Sequence, residues 1–476
     1  MIFIIRCDII KRDKINKGSI MLKNVAKILE NKKISRFKEL FKSYVDSDLY
    51  ILTVMAAAVL NWKFHVMIII FAVGLPLALL IFIFDINRIR FIPLILGVII
   101  SLQLEYIPGY VLPATISSVI VFPILVYDLY RKKVVYNNKI FVGMVFLLLA
   151  MIFSVVNAPN FTTPFLGILM MFFYTFLFLY FYNKGIENSL LEENRQYLAR
   201  SFNYMVLAIL CEVLLFMFEI NAFSDLGKFF MDKHIMLGWA MTNYIAMILL
   251  MIIPLSFYLY SKNQEKFYLL IFVLIELILL LLMLSRGAYL AILIVIVPFI
   301  VKFGHDVKDK VLFTKISLLA VIIILVITLS VFIPQGIVKS YFAALDHRGL
   351  SLSGRQILYQ VGIQVFKRYP LFGGGVYTSE YYISLVAGSV YYHNYLIQTL
   401  ATIGLVGLVA FLYYLYQILR ASTKKGDYNT YVLFIVLNMM LHGLFDTTFY
   451  NPLVMVLFSL ILPLLSNNNH HIAVNA

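Results

Sequence analysis

The sequence is poor in the residues on which soluble and disulfide-stabilised proteins depend. Only 13% of its 476 residues are charged, and only two are cysteines. Soluble globular domains carry about 25% charged residues, so an ordinary soluble domain is excluded. Cys7 lies in the N-terminal stretch and Cys211 inside an apolar segment, and this pair predicts no disulfide or metal framework.

Apolar residues make up most of the chain: 62% are hydrophobic, and the mean hydropathy is +0.92. Apolar runs of about 17–25 residues are what a hydrocarbon core of about 30 Å requires. The sequence therefore predicts an all-α polytopic membrane protein with about 12–14 transmembrane helices. The apolar segments are 49–61, 64–84, 91–106, 110–129, 139–157, 161–182, 199–220, 237–260, 267–284, 287–303, 315–333, 393–419, 429–446 and 451–466.

The N-terminal stretch is basic. Its opening apolar run, MIFII, is followed at once by Arg6 and Asp8 and is too short for the apolar core of a cleavable signal peptide. Residues 20–44 have the spacing of a basic amphipathic helix on an anionic leaflet, with a basic tail as the alternative. The predicted division is a cytoplasmic segment 1–48, a bundle 49–333, an extracytoplasmic loop 334–392, three spans in 393–466 and a cytoplasmic tail 467–476.

The distribution of basic residues predicts the orientation. If the N-terminus is cytoplasmic and the segments alternate, most of the 39 basic residues fall in cytoplasmic loops, as the positive-inside rule requires. The net charge of +15 then reflects topology, and no nucleic-acid partner is expected. Arg286, Arg355 and His393 all fall on the opposite, extracytoplasmic side.

The longest predicted connection within the bundle is the loop 334–392. Ser353 and Gln356 form a capping-box pattern, apolar residues then repeat at helical spacing, and Pro370 ends the run. Arg355 is therefore expected in the first turn of a helix. The loop also contains eight tyrosines, which suit either sugar rings or the membrane interface.

Two arginines and a histidine on one side of a membrane suggest a chemistry. Guanidinium groups match phosphate oxygens in geometry and stay charged, and an imidazole can take a proton from a hydroxyl near neutral pH. Arg286 and Arg355 could hold a diphosphate while His393 acts as a base. The alternatives are that the arginines reach toward lipid headgroups and that the histidine is a structural hydrogen-bonding group.

Several short motifs in order resemble the O-antigen ligase family, which includes O-antigen ligases, O-antigen polymerases and related surface-glycan polymerases. They are SGR at 353–355, PLFGGG at 370–375, HN at 393–394, the Gly404–Gly407 pair in the following span, and LSRGAYLA around Arg286. In two places the chain departs from the family pattern. Tyr359 stands where the family often has tryptophan, and Thr402 where it often has an acid, so no catalytic acid is assigned there.

The resemblance implies a membrane-embedded glycosyltransferase of the GT-C type, which takes glycans from undecaprenyl diphosphate without metal or cofactor. Expected partners are the lipid-linked donor, a glycan or lipid-linked acceptor, membrane lipids and a chain-length regulator, in a bacterial cytoplasmic membrane. Polymerisation is favoured over ligation, and a flippase for the same lipid-linked unit is the alternative. The implied catalytic residues are His393, Arg355 and Arg286, and the implied substrate-binding residues are Ser353, Gly354, Tyr359, Gly373, Gly375 and Asn394.

Two further pairs of residues are candidates. His442 and Asp446, four apart, are expected on one helix face, either as a catalytic pair or as a structural hydrogen bond. Glu212 and Glu276 fall near the middle of spans, where an ionisable group is often functional. A satisfied hydrogen bond between helices is the favoured interpretation of both.

Overall fold

The computed structural model describes residues 32–65, 68–102, 107–131, 133–185, 190–224, 229, 235–308, 355–384 and 390–465, with side chains from 119 onward in the third range. Nearly all of its regular structure is helical, which confirms the all-α prediction. The predicted span 315–333 and the predicted site residues Ser353 and Gly354 lie outside the described residues.

The described helices are numbered α1 to α16 in chain order. Their bounds are α1 Lys32–Asp46, α2 Asp48–Phe64, α3 Ile68–Ile83, α4 Ile92–Ser101, α5 Ile107–Tyr130, α6 Lys139–Ser154, α7 Thr162–Gly185, α8 Leu191–Glu219, α9 Thr242–Lys262, α10 Leu269–Leu282, α11 Arg286–Asp306, α12 Arg355–Arg368, α13 Ser379–Ile383, α14 Tyr395–Ser422, α15 Asp427–Gly443 and α16 Pro452–Ile461.

Six of these helices are long and apolar enough to cross a membrane, and this count includes α6 with its 3₁₀ extension. The helices α1 and α2 are bent by 69° at their junction and add a seventh span if they count as one. This tally covers the described residues only. Other predicted segments form shorter helices, such as α3 with 16 residues and α4 with 10. The chain is a multi-pass membrane protein.

The helices pack around α9, whose residues are almost all buried. It contacts α8, α10, α11, α15 and α16. At the end of α9 that carries Lys262, Asp427 accepts hydrogen bonds from Lys262 at 2.6 Å and Lys302 at 3.0 Å. The other end, which begins at Thr242, meets the start of α11 and the end of α15. That second end is where the predicted catalytic residues gather, and it is called the site end below.

The connection before α14 contains a helix where one was predicted, while the predicted capping residue Ser353 lies outside the described residues. The helix α12 begins at Arg355 in the described part of the chain and ends at Arg368, two residues before Pro370, because proline disfavours a helical conformation in the residue before it. Its apolar face packs on α14 through a small cluster that includes Leu358, Val365 and Ala401. The helix thus rests on the bundle.

Candidate active site at one end of the bundle

His393 lies directly before α14 and is held on both sides. The next residue, Asn394, caps the helix: its Oδ1 accepts from the backbone N–H of Leu396 at 2.9 Å and of Ile397 at 3.1 Å. The Asn394 amide donates to the carbonyl of Leu444 at 3.0 Å, beyond the end of α15. His393 itself has a left-handed φ of 51°, which is costly for a residue with a side chain and is often retained at functional sites.

The side chain of His393 meets a buried carboxylate. Its Nδ1 lies 3.2 Å from Oδ1 of Asp446, and the side chains are 27% and 3% exposed respectively. The same Oδ1 accepts from the backbone N–H of Thr447 at 2.8 Å. An acid that engages one ring nitrogen fixes the tautomer and orientation of a histidine, which leaves the other nitrogen to exchange protons with a substrate.

This pairing corrects an expectation from the sequence. His442 and Asp446 do not share a helix face, because α15 ends at Gly443 and Asp446 lies in the turn beyond it. The Nε2 of His442 lies 3.4 Å from Oγ of Ser285 instead. His442 nevertheless remains near enough for its charge to act on Asp446. Both predicted residues belong to the site, but the carboxylate pairs with His393.

The electrostatics favour an ionised Asp446. Burial raises the pKa of this carboxyl, but the hydrogen bond to His393, the positive charge available on His393 and His442, and the Thr447 N–H together outweigh burial and hold the pKa at about 2. Asp446 is therefore a fixed negative charge at neutral pH. A carboxylate in this position stabilises an imidazolium when the histidine gains a proton.

Arg286 is brought to the same place by the first turn of α11. A β-carbon built on Gly287, the next residue, would lie 3.2 Å from Cβ of Phe445 and 3.6 Å from Nε2 of His442. The start of α11 therefore packs against the end of α15 and the turn that carries Asp446. Arg286 stands one residue from this contact, at the N-terminus of its helix.

Arg355 approaches from the other side through Tyr359, one helical turn later. The hydroxyl of Tyr359 donates to the backbone carbonyl of His393 at 3.3 Å. Burial raises the pKa of Tyr359, the charge of Arg355 lowers it and the charge of Asp446 raises it further. The charges of both Arg355 and Asp446 therefore act on the hydroxyl of Tyr359, which itself contacts His393. The structure brings Arg286, Arg355 and His393 to one end of the bundle, around Asp446.

The glycine-rich turn 373–375 fills a break in α14. Gly404 leaves helical geometry with φ of 67° and ψ of −162°, so the helix leaves backbone groups without intrahelical partners, which are costly inside a membrane. The turn supplies those partners: Gly374 N–H donates to Ala401 at 2.8 Å and Gly375 N–H to Thr402 at 3.0 Å. The N–H groups of Leu405 and Val406 donate in return to Pro370 and Leu371.

This contact requires glycine. A β-carbon on Gly373 would lie 2.4 Å from the carbonyl carbon of Thr402, and its φ is +70°; Gly375 has φ of +106°. Both values belong to the left-handed region that favours glycine. Gly373 and Gly375 therefore have a packing function that fixes α14, and with it His393, while sugar binding by these residues stays a prediction.

The two buried glutamates have hydrogen-bonding partners. Oε2 of Glu212 accepts from the indole N–H of Trp239 at 2.7 Å, and Oε1 of Glu276 accepts from the Ser256 hydroxyl at 2.5 Å. Both side chains are fully buried. These contacts agree with the favoured interpretation of hydrogen bonds between helices, and neither residue lies in the site.

The sequence analysis missed two residues of the site, Asn243 and Ser285. The Asn243 amide donates to Oδ2 of Asp446 at 3.0 Å, and Ser285 contacts His442. Asn243 lies inside the apolar segment 237–260, and Ser285 lies between the segments 267–284 and 287–303. Their partners are 203 and 157 residues away in the chain, so no local pattern indicates either contact.

The site end carries two arginines, on α11 and α12, and a histidine whose Nδ1 contacts a buried carboxylate. Such a group can hold an anion, accept a proton from a hydroxyl and offset negative charge that develops on a leaving group. Burial and the charges of Asp446 and Glu380 raise the pKa of the Tyr391 hydroxyl, so it stays protonated at neutral pH. Transfer of a group from a phosphate ester or diphosphate to a hydroxyl fits this arrangement.

A comparison with protein families agrees with this chemistry. Residues 267–412 match the O-antigen ligase family model. The matched range contains Arg286, Arg355, Tyr359, the glycine-rich turn, His393 and Asn394, while Asn243, His442 and Asp446 lie outside it. No curated protein matches the chain. The match covers less than half of the chain; it makes residues 267–412 similar to the O-antigen ligase family and supports an activity of the ligase or polymerase type in general.

Proposed function

We propose that this protein is an extracytoplasmic glycosyltransferase that polymerises or ligates glycans carried on undecaprenyl diphosphate, for a surface polysaccharide such as O-antigen, capsule or a teichuronic-type polymer. The observation that carries the proposal is the 3.2 Å contact between Nδ1 of His393 and Oδ1 of Asp446. A histidine oriented by a buried carboxylate is the arrangement that general-base chemistry requires. The family match supports the choice of a glycan substrate.

In the proposed reaction, an acceptor sugar hydroxyl attacks the anomeric carbon of the donor glycan. Nε2 of His393 takes the hydroxyl proton as the new carbon–oxygen bond forms. The bond from the anomeric carbon to the phosphate oxygen breaks, and its electron pair leaves with the lipid diphosphate. The imidazolium is stabilised by Asp446 and later returns its proton to the diphosphate or to water, so protons and charge balance.

Arg286 and Arg355 hold the diphosphate in this scheme. Their permanent charges offset the negative charge that grows on the leaving oxygen, which is the kind of interaction that stabilises a transition state more than a ground state. Arg286 begins α11 after the cap residue Ser285, and this place supports the role because the N-terminus of a helix also favours a bound anion. The Tyr359 hydroxyl, on the helix that carries Arg355, contacts the His393 carbonyl and would hold α12 and His393 in fixed relative positions.

The distribution of basic residues supports a site that lies on the outer face of the membrane. The end of the bundle opposite the site carries Lys262, Lys302 and Arg200, and basic residues mark the cytoplasmic side. A lipid-linked donor on the outer side fits the lack of any recognisable nucleotide-binding motif in the sequence. Polymerisation is preferred to ligation because no sequence feature marks a lipid A core partner, and a chain-length regulator would then be a partner.

The test uses a strain that lacks the native gene and expresses Arg286→Ala, Arg355→Ala or His393→Ala. Each variant should abolish long-chain glycan and accumulate single lipid-linked repeats on the outer leaflet, at normal protein level. Arg368→Ala is the matched control, because Arg368 ends the helix that Arg355 begins and stacks on Tyr369 at 5.3 Å. Normal chains in all three variants would refute the catalytic assignment.

The same strain distinguishes the alternative from another class, a flippase. If repeats accumulate on the cytoplasmic leaflet instead, the protein moves the lipid-linked unit rather than joining it. Purified protein supplied with one lipid-linked repeat and no other acceptor separates the two enzymatic possibilities. Growth of a polymer indicates polymerase, and growth only after addition of a different acceptor indicates ligase.

A further inference from the structure

Asp446 has a third hydrogen bond, from a residue that lies outside the matched family region. The amide of Asn243 donates to Oδ2 of Asp446 at 3.0 Å. We infer that Asn243 is a positioning residue for the reaction: it fixes the Asp446 carboxylate so that the carboxylate holds His393 in the orientation needed for proton transfer. This inference rests on the proposed function.

The two oxygens of the Asp446 carboxylate have different hydrogen-bonding partners. Oδ1 serves His393 and the Thr447 N–H, while Oδ2 accepts from Asn243. Asp446 is 2% exposed, and a buried charged oxygen that loses its donor carries a large desolvation cost. Without the Asn243 amide, Oδ2 loses its donor and the carboxylate is expected to rotate, which releases Nδ1 of His393.

The fold holds Asn243 firmly. It is in the first turn of α9, and the turn before it is closed by a hydrogen bond from Leu237 N–H to the Ala240 carbonyl at 2.9 Å. The indole N–H of Trp62 donates to the Leu237 carbonyl at 2.7 Å. Trp239 in the same turn donates to Glu212. These two indole hydrogen bonds join the start of α9 to α2 and to α8. Because the buried Glu212 accepts one of them, it helps to hold the start of α9 and thereby supports the site.

A neutral amide suits this position. Asp446 contacts His393 ahead of α14 and lies near His442 on α15, and its charge raises the pKa of the Tyr359 and Tyr391 hydroxyls. Arg355 on α12 acts on Tyr359, and Arg286 begins α11 beside His442. An asparagine donates a hydrogen bond without altering this balance. A lysine would neutralise Asp446, and an aspartate would add a second negative charge.

The experiment measures elongation of a lipid-linked repeat by purified protein across neutral pH, for wild type, Asn243→Ala and Asn243→Asp. Asn243→Ala should lower kcat roughly 10- to 100-fold, the effect of losing a hydrogen-bond partner behind a histidine at metal sites. The KM for the donor should change little, because the arginines bind the diphosphate. Asn243→Asp should change the shape of the pH–kcat/KM profile: the second carboxylate lies within hydrogen-bonding distance of Asp446 and raises the pKa of the pair, so the pair keeps one proton to higher pH and activity should fall as that proton is lost.

Asn438→Ala is the matched control. Asn438 is also a buried asparagine between α9 and α15, where its amide donates to the Leu250 carbonyl at 3.2 Å, away from Asp446. It should lower thermal stability without changing the shape of the pH–kcat/KM profile. The inference is overturned if both Asn243 variants keep the wild-type kcat and pH profile, or if they lose only stability, as Asn438→Ala does. If His393→Ala also stays active, the proposed function itself fails, so the two failures are distinguishable.

Discussion

The two ends of the bundle use buried acids for different purposes. At the end opposite the site, Asp128 binds two cations: it accepts from Arg88 through both carboxylate oxygens, at 2.9 and 3.1 Å, and lies 3.3 Å from Lys184. At the site end, Asp446 binds an imidazole, an amide and a backbone N–H. The first arrangement neutralises charge permanently and joins helices, whereas the second holds a group that can gain and lose a proton.

Asp128 has a structural function and Asp446 a chemical one because their partners differ. An arginine stays protonated in proteins, so its partner acid only anchors it. A histidine titrates near neutral pH, so its partner acid controls when and where it accepts a proton. If this distinction is correct, substitutions at the two ends should separate rate from stability.

The largest expected effect is that of Asp446→Asn. The amide would replace an acceptor with a donor, favour the wrong tautomer of His393 and remove the charge that stabilises the imidazolium. The elongation rate at neutral pH should fall by roughly 10²- to 10⁴-fold, measured with purified protein and a lipid-linked repeat. Asp427→Asn at the opposite end is the control and should keep a near wild-type rate. Equal elongation rates for Asp446→Asn and Asp427→Asn would contradict the proposed difference between the two ends of the bundle.

The next effect concerns stability. Asp128→Ala leaves the guanidinium of Arg88 buried, with the Arg88 and Asp128 side chains only 5% and 2% exposed. Breaking one side of such a pair costs about 3–5 kcal/mol, whereas replacing both partners with apolar residues is often neutral. Thermal unfolding in detergent should show a large loss for Asp128→Ala and a recovery for Arg88→Met combined with Asp128→Leu. Activity per folded molecule should not change; a rate loss without a stability loss would contradict this.

The smallest effect is expected for Lys262→Ala. Lys262 and Asp427 are 30% and 43% exposed, and solvent screens such a pair, so its contribution is about 0–1 kcal/mol. Asp427 also keeps its hydrogen bond from Lys302 at 3.0 Å. The melting temperature in detergent should shift only slightly. A shift as large as that of Asp128→Ala would show that exposed pairs hold this end together as strongly as buried ones.

Local signals in the sequence predicted much of the site. The helix that carries Arg355 ends at Arg368, before Pro370, as predicted, because the effect of proline acts over a few residues. The site's partners could not be predicted in this way. Asp446 meets His393 across 53 residues and Asn243 across 203, and such contacts depend on how whole helices pack.

The break in α14 was also beyond local prediction. Gly404 and Gly407 lie in an apolar run, where glycine often allows close helix packing. In the structure Gly404 ends a helical stretch, and the turn at Gly373–Gly375 satisfies the backbone groups on both sides of it. Predicting the break requires knowledge of the turn that docks there, which comes from a different part of the chain.

The most direct test separates donor binding from transfer in purified protein. Wild type, Arg355→Ala and His393→Ala are each given a lipid-diphosphate-linked repeat, and bound donor and new glycosidic bonds are measured together. We predict that His393→Ala binds the donor like wild type but forms no bond, and that Arg355→Ala loses donor binding. Wild-type rates of bond formation by His393→Ala would contradict a catalytic role for the imidazole at the site end.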